Sequence, residues 1–280
     1  MDMKVEVVAS HVDDAFDDFV QRRRAQRDWA ALNGYYNGNL DLNGEYAVVK
    51  LVAPRCGLVL DVGYNEGVVS EKFCSFNPAV QVIGFDPNPR MPSRPTGHSV
   101  LRYALSDKGG ETASFYVHRA FSGVSSLSER TQQNPSFRKD FDLIQVELQR
   151  LDDIYRDVVP RFDGDVFLKI DVEGAEAKVI RGAADFFRKY QPIGYFEYSE
   201  GWKESGELLQ NLFYHLDEIG YCLYRVTPLG LEHIRFFHFT LENYLYQNLF
   251  YAPRGYLDSF MTPVRIPWDF SETLFYRFMD

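Results

Sequence analysis

Cysteine is scarce in this chain, and the three cysteines are not placed to form a structural framework. Cys56, Cys74 and Cys222 are odd in number and lie far apart along the 280 residues. Disulfide-rich domains and structural metal sites use paired or closely spaced cysteines instead. The pattern therefore indicates free thiols in a reducing compartment, which predicts a cytoplasmic protein.

Long apolar runs and a basic surplus are also missing. No stretch approaches the roughly 20 apolar residues that span a bilayer, and the N-terminal segment does not resemble a signal peptide. The net charge of -10 disfavours nucleic acids and anionic membranes as partners. We therefore expect a soluble protein, without a transmembrane segment, whose partner is a small molecule.

The chain does have a regular alternation of strand-like and helix-like segments. Apolar residues make up 45% of the sequence, enough for the core of a large α/β domain. The alternation predicts a doubly wound, mostly parallel sheet. We divide the chain into an N-terminal helical extension (1–53, with helical spacing over 13–32), a central domain (54–253) and an aromatic-rich tail packed on that domain (254–280).

The stretch 58–67 organises the rest of the sequence. It is a short apolar run that contains Asp61, followed by Gly63 and Gly67 before the helix-competent segment Val68–Phe76. Glycine suits a backbone that bends sharply and passes close to a ligand. A strand, a glycine turn and a helix N-terminus together predict a site for a nucleotide-like ligand.

One glycine of the dinucleotide fingerprint G-x-G-x-x-G is absent from this turn. The turn reads D-x-G-x-N-x-G, with Asn65 between the two glycines. Asp61 would repel a pyrophosphate and attract an ammonium group, which S-adenosylmethionine carries. The spacing therefore favours S-adenosylmethionine over a dinucleotide, and a strand-turn-helix without a ligand is the simpler alternative.

Polar residues after the next two predicted strands extend this site. Asp86 follows the predicted strand Gln81–Phe85, where doubly wound folds place an acid against ribose hydroxyls. Asn88 lies in the proline-stiffened turn after it. Ser106 and Asp107 follow a third predicted strand over 99–104, and we expect one of them within reach of the adenine amino group.

Residues 118–140 are rich in Ser, Gly, Asn and Gln and have no periodicity. They separate two predicted strands, 112–117 and 141–148. A loop of this length in a compact domain is usually a binding lid or disordered. We predict a lid that is mobile without ligand.

A second buried strand, predicted over 166–170, is followed by Asp171, Glu173 and a glycine that opens a helix as far as about residue 189. Glu197 stands near the end of the strand after that helix, predicted over 192–198. Carboxyl ends of parallel strands share one edge of a sheet, so these carboxylates should converge.

Such a cluster has two chemical uses and one purely structural one. Convergence raises at least one carboxyl pKa, which suits a general base near neutral pH. The same oxygens could hold Mg²⁺. Alternatively, an acid such as Glu176 merely stabilises a helix N-terminus electrostatically.

Four segments carry a family resemblance, in this order: 61–67 (DVGYNEG), 85–89 (FDPNP), 104–107 (ALSD) and 168–176 (LKIDVEGAE). The sequence resembles the FkbM family of S-adenosylmethionine-dependent methyltransferases over roughly residues 58–253. The resemblance implies a class I, Rossmann-like, seven-stranded sheet with the last strand antiparallel. It also implies O-methylation of a small metabolite, sugar or lipid. Family members often have Glu where this chain has Asp86, and the shorter acid can still reach the ribose.

The predicted site therefore has two parts. The catalytic candidates are Asp171, Glu173 and Glu197, and the cofactor-binding candidates are Asp61, Gly63, Asn65, Gly67, Asp86, Asn88, Ser106 and Asp107. The predicted cofactor is S-adenosylmethionine, with Mg²⁺ as an option, and the predicted partner is a small hydroxyl acceptor. A non-catalytic S-adenosylmethionine-binding scaffold and a nicotinamide-dependent oxidoreductase are the alternatives.

Overall fold

The computed structural model describes residues 38–91, 97–119, 123, 125–128, 140–268 and 271–278. The helices predicted within 13–32 lie outside these residues. Most of the predicted lid, 118–140, lies outside them too.

Seven α-helices occur in the described part of the chain. They are α1 (Glu45–Val52), α2 (Val68–Phe76), α3 (Leu151–Val158), α4 (Glu176–Arg181), α5 (Ala184–Tyr190), α6 (Glu200–Ser205) and α7 (Leu209–Glu218).

The strands follow the predicted alternation with additions. They are β1 (Cys56–Val62), β2 (Gln81–Phe85), β3 (Ser99–Leu101), β4 (Ala104–Leu105), β5 (Glu111–His118), β6 (Phe141–Gln149), β7 (Asp165–Ile170), β8 (Ile193–Tyr198), β9 (Tyr221–Thr227), β10 (Gly230–Ile234), β11 (Gln247–Pro253), β12 (Val264–Trp268) and β13 (Ser271–Arg277).

Ten of these strands form one mixed sheet in the order β12-β13-β10-β9-β11-β8-β7-β1-β2-β3. The five strands from β3 to β8 in that order are parallel to one another, and β11 runs antiparallel to β8 and β9. The α/β prediction is thus confirmed, but a mostly parallel sheet of seven strands is wrong, because four pairings in the described sheet are parallel and five are antiparallel. The three additional strands are β10, β12 and β13, which extend the sheet beyond β9.

A second, three-stranded sheet has the order β4-β6-β5. It divides the strand predicted over 99–104, because β3 pairs with β2 whereas β4 pairs with β6. Arg102 lies at the division, and its Nη1 donates a hydrogen bond to the Asn88 carbonyl oxygen at 2.7 Å. The chain therefore leaves one sheet and enters the other within two residues.

Strand β1 lies between the two halves of the core. Leu58, Leu60 and Val62 pack on one face of the large sheet, and Val59 packs on the other with Phe73 of α2. All are almost fully buried, as expected for a parallel strand with helices on both faces. The carboxyl ends of the central strands, where a ligand site is expected in this architecture, are thus held on a rigid support.

The single helix predicted as far as residue 189 is two helices, α4 and α5. Gly182 lies at the break, where a Cβ would stand 2.0 Å from the Ser106 carbonyl oxygen. Asp152 then accepts hydrogen bonds from the backbone N–H groups of Asp185 and Phe186, at 3.1 and 3.0 Å. The close approach of the Ser106 loop and this new N-terminal cap explain why one apolar periodicity forms two helices.

Candidate active site

The turn after β1 has the left-handed backbone that its glycines predict. Gly63, Asn65 and Gly67 have φ of 78°, 45° and 71°. A Cβ on Gly63 would lie 1.7 Å from the Asp171 carbonyl oxygen, and one on Gly67 would lie 2.3 Å from the Tyr64 ring. Both glycines are therefore constrained by contacts inside the protein, and not only by the sharp bend and close ligand approach expected from the sequence.

A buried ion-pair group lies under this turn. The Lys169 ammonium is 3.1 Å from Asp61 Oδ1 and 3.4 Å from Asp171 Oδ2, and it donates a hydrogen bond to the Gly63 carbonyl oxygen at 2.8 Å. Ser70 donates to Asp61 Oδ2 at 2.7 Å. Burial alone would lower the pKa of Lys169, but Asp61 and Asp171 raise it above its ordinary value. Asp61 thus already faces an ammonium group, which belongs to the protein itself.

Asp86 connects the turn after β1 with the turn after β2. Its Oδ2 accepts a hydrogen bond from the Asn65 N–H at 2.8 Å, and its Oδ1 accepts one from the Asn88 N–H at 2.9 Å. Burial raises the pKa of Asp86, and the two N–H groups oppose that effect. The acid is therefore held in place at the carboxyl end of β2.

A cleft runs along the carboxyl ends of β1, β2 and β7, and we call it the main cleft. It encloses about 600 Å³, counting the part open to solvent. Its polar lining includes Gly63, Asn65, Asp86, Asp171 and Glu173. Its apolar lining includes Phe85, Leu105, Phe115, Leu127 and Val172. Five of the predicted site residues thus meet in one cavity.

A second cavity of about 560 Å³, again counting its opening, adjoins the main cleft, and we call it the side chamber. The two share Gly63, Asn65 and Asp171 in their linings. The side chamber is further lined by Glu45, Asp61, Glu66, Lys169, Glu197, Tyr246 and Asn248, with Leu40, Tyr64, Val68 and Val69 among its less polar residues.

Five polar residues of the side chamber are not among the predicted site residues: Glu45, Glu66, Lys169, Tyr246 and Asn248. A signal existed for Lys169, which is a charged residue inside an apolar strand between Leu168 and Ile170. Such a residue is seldom buried without a partner of opposite charge. The sequence offers no comparable signal for Glu45 and Asn248, which are 203 positions apart and joined by a 2.7 Å hydrogen bond.

Asp171, Glu173 and Glu197 converge as predicted. Each offers one carboxylate oxygen, and these three atoms lie within 4.8 Å of one another, which would suit a metal ion. Glu173 has a φ of 60°, an uncommon backbone for a residue with a side chain. Although Glu197 is partly exposed, burial of its carboxyl group raises its pKa well above the ordinary value, and the charges of Asp171 and Glu173 add to this.

Glu176 holds the backbone of this turn in place. Its carboxyl group accepts hydrogen bonds from the Val172 N–H at 2.9 Å and from the Gly174 N–H at 3.0 Å. Gly174 has a φ of 110°, and a Cβ there would lie 2.3 Å from the Gly201 carbonyl oxygen. Burial raises the pKa of Glu176 to about 8, although the backbone donors oppose the shift.

Four predicted residues line neither cavity: Asn88, Ser106, Asp107 and Gly67. Asp107 accepts hydrogen bonds from Nε and Nη2 of Arg181 at 3.2 and 3.1 Å, and the hydroxyl of Ser106 donates to Asp107 at 3.3 Å. Asn88 donates to Asp86 and accepts a bond from the Arg90 N–H at 3.0 Å, so it stabilises its own turn. Gly67 is the residue before α2.

Within the described ranges, no helix combines the length and apolarity needed to cross a membrane. The parallel strands and the cleft across their carboxyl ends define an α/β protein with a cavity at the edge of the sheet where this architecture binds its ligands.

A family model described as "Methyltransferase FkbM domain" matches residues 61–226. This is more than half of the chain, and the chain belongs to the FkbM methyltransferase family. The predicted family is thereby confirmed.

The individual relatives of this chain have low sequence identity to it. The 2-O-methyltransferase NoeI of Sinorhizobium fredii (strain NBRC 101917 / NGR234) is 26% identical over 176 residues, which cover 58% of this chain and 71% of NoeI. The crystal structure of methyltransferase FkbM from Methylobacillus flagellatus KT is 14% identical with a TM-score of 0.39, covering 71% of this chain and 44% of that one.

An O-methyltransferase from Bacillus cereus, solved in complex with SAH, is 10% identical with a TM-score of 0.38 and covers 88% of this chain and 94% of that one. The two structural matches are too distant to bear on the site.

Proposed function

We propose that this protein is an S-adenosylmethionine-dependent O-methyltransferase that acts on a hydroxyl group of a small metabolite, sugar or lipid. The observation that carries the proposal is the convergence of Asp171, Glu173 and Glu197 within 4.8 Å, since two of them, Asp171 and Glu173, line the same cleft as Asp86. Membership of the methyltransferase family and the resemblance to a 2-O-methyltransferase support the reaction type.

The lining of the main cleft offers the chemical groups that the adenosine part of the cofactor would contact. S-adenosylmethionine supplies a methyl group bound to a positively charged sulfur. Asp86 would accept hydrogen bonds from the two ribose hydroxyls, since its carboxylate is fixed by the Asn65 and Asn88 N–H groups and lines the cleft. Leu105, Phe115 and Leu127 offer an apolar surface for the adenine ring. Ser106 and Asp107 are not part of this proposal, because Arg181 engages Asp107.

Glu197 is the candidate that best suits the transfer step. An alcohol is a weak nucleophile with a high pKa, so loss of its proton to a positioned base assists attack on the methyl group. The raised pKa of Glu197 matches that task better than an ordinary carboxylate would. Lys169, 3.4 Å from Asp171, would hold the Asp171 side chain in place, and Glu173 would complete the pocket for the hydroxyl group.

The test combines binding and turnover. Calorimetry with S-adenosylhomocysteine should show binding, and a panel of hydroxyl acceptors should yield a methylated product. Glu197→Gln should lower kcat by roughly 10²–10⁴-fold and leave S-adenosylhomocysteine affinity unchanged. Glu200→Gln is the matched control, because Glu200 is an exposed residue of α6, and it should turn over normally.

Other outcomes point to the alternatives. Loss of activity with EDTA and its return with Mg²⁺ would assign the three carboxylates to a metal ion in place of a base. Binding of S-adenosylhomocysteine without turnover of any acceptor would favour a scaffold. Binding of NADH in its place would favour an oxidoreductase.

A further inference from the structure

Glu45 is a buried carboxylate at the start of α1 that the proposed reaction leaves unused. It is 4% exposed and lines the side chamber. Its Oε1 accepts hydrogen bonds from the side-chain amides of Asn43 and Asn248, at 2.6 and 2.7 Å, and a longer one from the Tyr246 hydroxyl at 3.5 Å. All three donors are neutral, so none of them balances the negative charge.

Lys169, the cation of the side chamber, already pairs with two other carboxylates. The carboxylates of the side chamber are those of Glu45, Asp61, Glu66, Asp171 and Glu197, and Lys169 is the one cation among the described residues that line it. Its ammonium is within 3.4 Å of both Asp61 and Asp171. Burial raises the pKa of Glu45, and Lys169 offsets this only slightly. A buried carboxylate without a cation is costly, so the side chamber is suited to a positively charged ligand group.

Tyr195 is a further buried polar residue close to Glu45. Its side chain is 1% exposed. Burial raises the pKa of Tyr195 well above its ordinary value, and the charges of Glu45, Asp61 and Asp171 raise it further. Its hydroxyl makes no hydrogen bond of ordinary geometry with any described residue, so it does not compensate the burial of Glu45 as a full hydrogen bond would.

We infer that Glu45, held by Asn248, binds the α-ammonium group of the cofactor in the side chamber; this rests on the proposed function. The main cleft and the side chamber meet at Gly63, Asn65 and Asp171. A cofactor whose ribose contacts Asp86 therefore extends past the turn after β1 into the side chamber with its amino acid end. The sequence pattern predicts this role for Asp61. However, the Asp61 carboxylate already pairs with the Lys169 ammonium and accepts a hydrogen bond from Ser70.

This assignment places a cofactor-binding residue outside the segment that defines the family. Glu45 and Asn248 both lie beyond residues 61–226, on either side of it. The part of the chain that matches the family would then supply the adenosine site, and its two flanks together would supply the ammonium site.

The experiment compares two ligands that share adenosine and differ in the amino acid. Calorimetry is performed with S-adenosylhomocysteine and with 5′-methylthioadenosine, which lacks the ammonium and carboxylate groups. Glu45→Gln should weaken S-adenosylhomocysteine by roughly 10- to 100-fold, the range for one hydrogen bond to a charged group. The affinity for 5′-methylthioadenosine should stay within about twofold of wild type, which also shows that the variant is folded. Glu71→Gln, an exposed acid on α2, should bind both ligands as wild type does.

The possible results separate the ammonium assignment from the proposed function. Unchanged S-adenosylhomocysteine affinity in Glu45→Gln overturns the ammonium assignment and leaves the proposed function standing. An equal loss for both ligands overturns it as well, because the effect is then not specific to the amino acid end. A wild-type protein that binds neither ligand removes the proposed function, and the assignment with it.

Discussion

Gly63 and Gly206 both have a positive φ, 78° and 74°, but their surroundings differ. A Cβ on Gly206 would meet nothing within 4 Å, whereas one on Gly63 would lie 1.7 Å from the Asp171 carbonyl oxygen. A substitution of Gly206 therefore tests backbone strain alone. A substitution of Gly63 adds a clash between the ends of two central strands. The pair separates the two reasons for which a protein retains a glycine.

We expect Gly206→Ala to lower the free energy of unfolding by about 1–2 kcal/mol, the cost of the left-handed backbone. Gly63→Ala should cost roughly 2–5 kcal/mol, since overpacking adds about 1–3 kcal/mol. Urea denaturation followed by circular dichroism measures both. Equal losses in the two variants would show that the contact with Asp171 relaxes freely.

Among single residues, the sequence revealed those that stand at strand ends. Asp61, Asp86 and Asp171 each occur at or directly after an apolar run, and the structure brings all three to the carboxyl ends of the central strands. Glu45 and Asn248 could not be found in this way, because only the folded chain brings them together over 203 positions. The salt bridge of Asp107 to Arg181 on α4 could not be predicted either, because it joins residues 74 positions apart and no local pattern records it.

At the level of elements, the turn between β7 and α4 has a pH dependence of its own. Burial raises the pKa of Glu176 from an ordinary 4.5 to about 8. Between these values the folded protein keeps a proton that the unfolded chain releases. The stability that this proton provides is therefore complete below about pH 4.5 and is lost as the pH rises through about 8.

The free energy of unfolding of the wild type should accordingly fall between pH 4.5 and 8 more steeply than that of Glu176→Gln. Urea denaturation at a series of pH values measures the two slopes. Glu200→Gln, which alters an exposed acid, should keep the wild-type slope. Parallel curves for wild type and Glu176→Gln would contradict the shifted pKa.

The elements that the sequence predicted well are those whose apolar pattern is uninterrupted. α2 and β2 match their predicted bounds, Val68–Phe76 and Gln81–Phe85. β10 was missed because Glu232, in the middle of a five-residue strand, is fully buried against Arg225 at 2.8 Å. A buried ion pair of this kind makes a core strand resemble an exposed loop.

For the whole molecule, the ten-stranded sheet predicts a gradient of local stability. β1 pairs with β2 on one side and β7 on the other, and its residues are almost all buried. β12 is an edge strand that pairs only with β13 in the described sheet, and Val264 in it is 40% exposed. Local opening should therefore cost far less free energy at β12 than at β1.

Hydrogen exchange followed by mass spectrometry tests this gradient. Peptides from β1, β7 and β8 should exchange slowest, and those from β12 fastest among the strands of the large sheet. S-adenosylhomocysteine should slow exchange around the turn after β1 and leave β12 unchanged. Protection at β12 equal to that at β1 would indicate a partner that covers this edge.

The hydrogen bond between Glu45 and Asn248 also sets an order of events during synthesis on the ribosome. Glu45 leaves the ribosome long before Asn248 is made, because 203 positions separate them. Throughout that interval Asn43 is the one of its two amide partners that already exists. The parallel strands can assemble while the chain is still growing, but the side chamber closes only once β11 has been added beside β8. A nascent chain would thus form the main cleft first and complete the side chamber last.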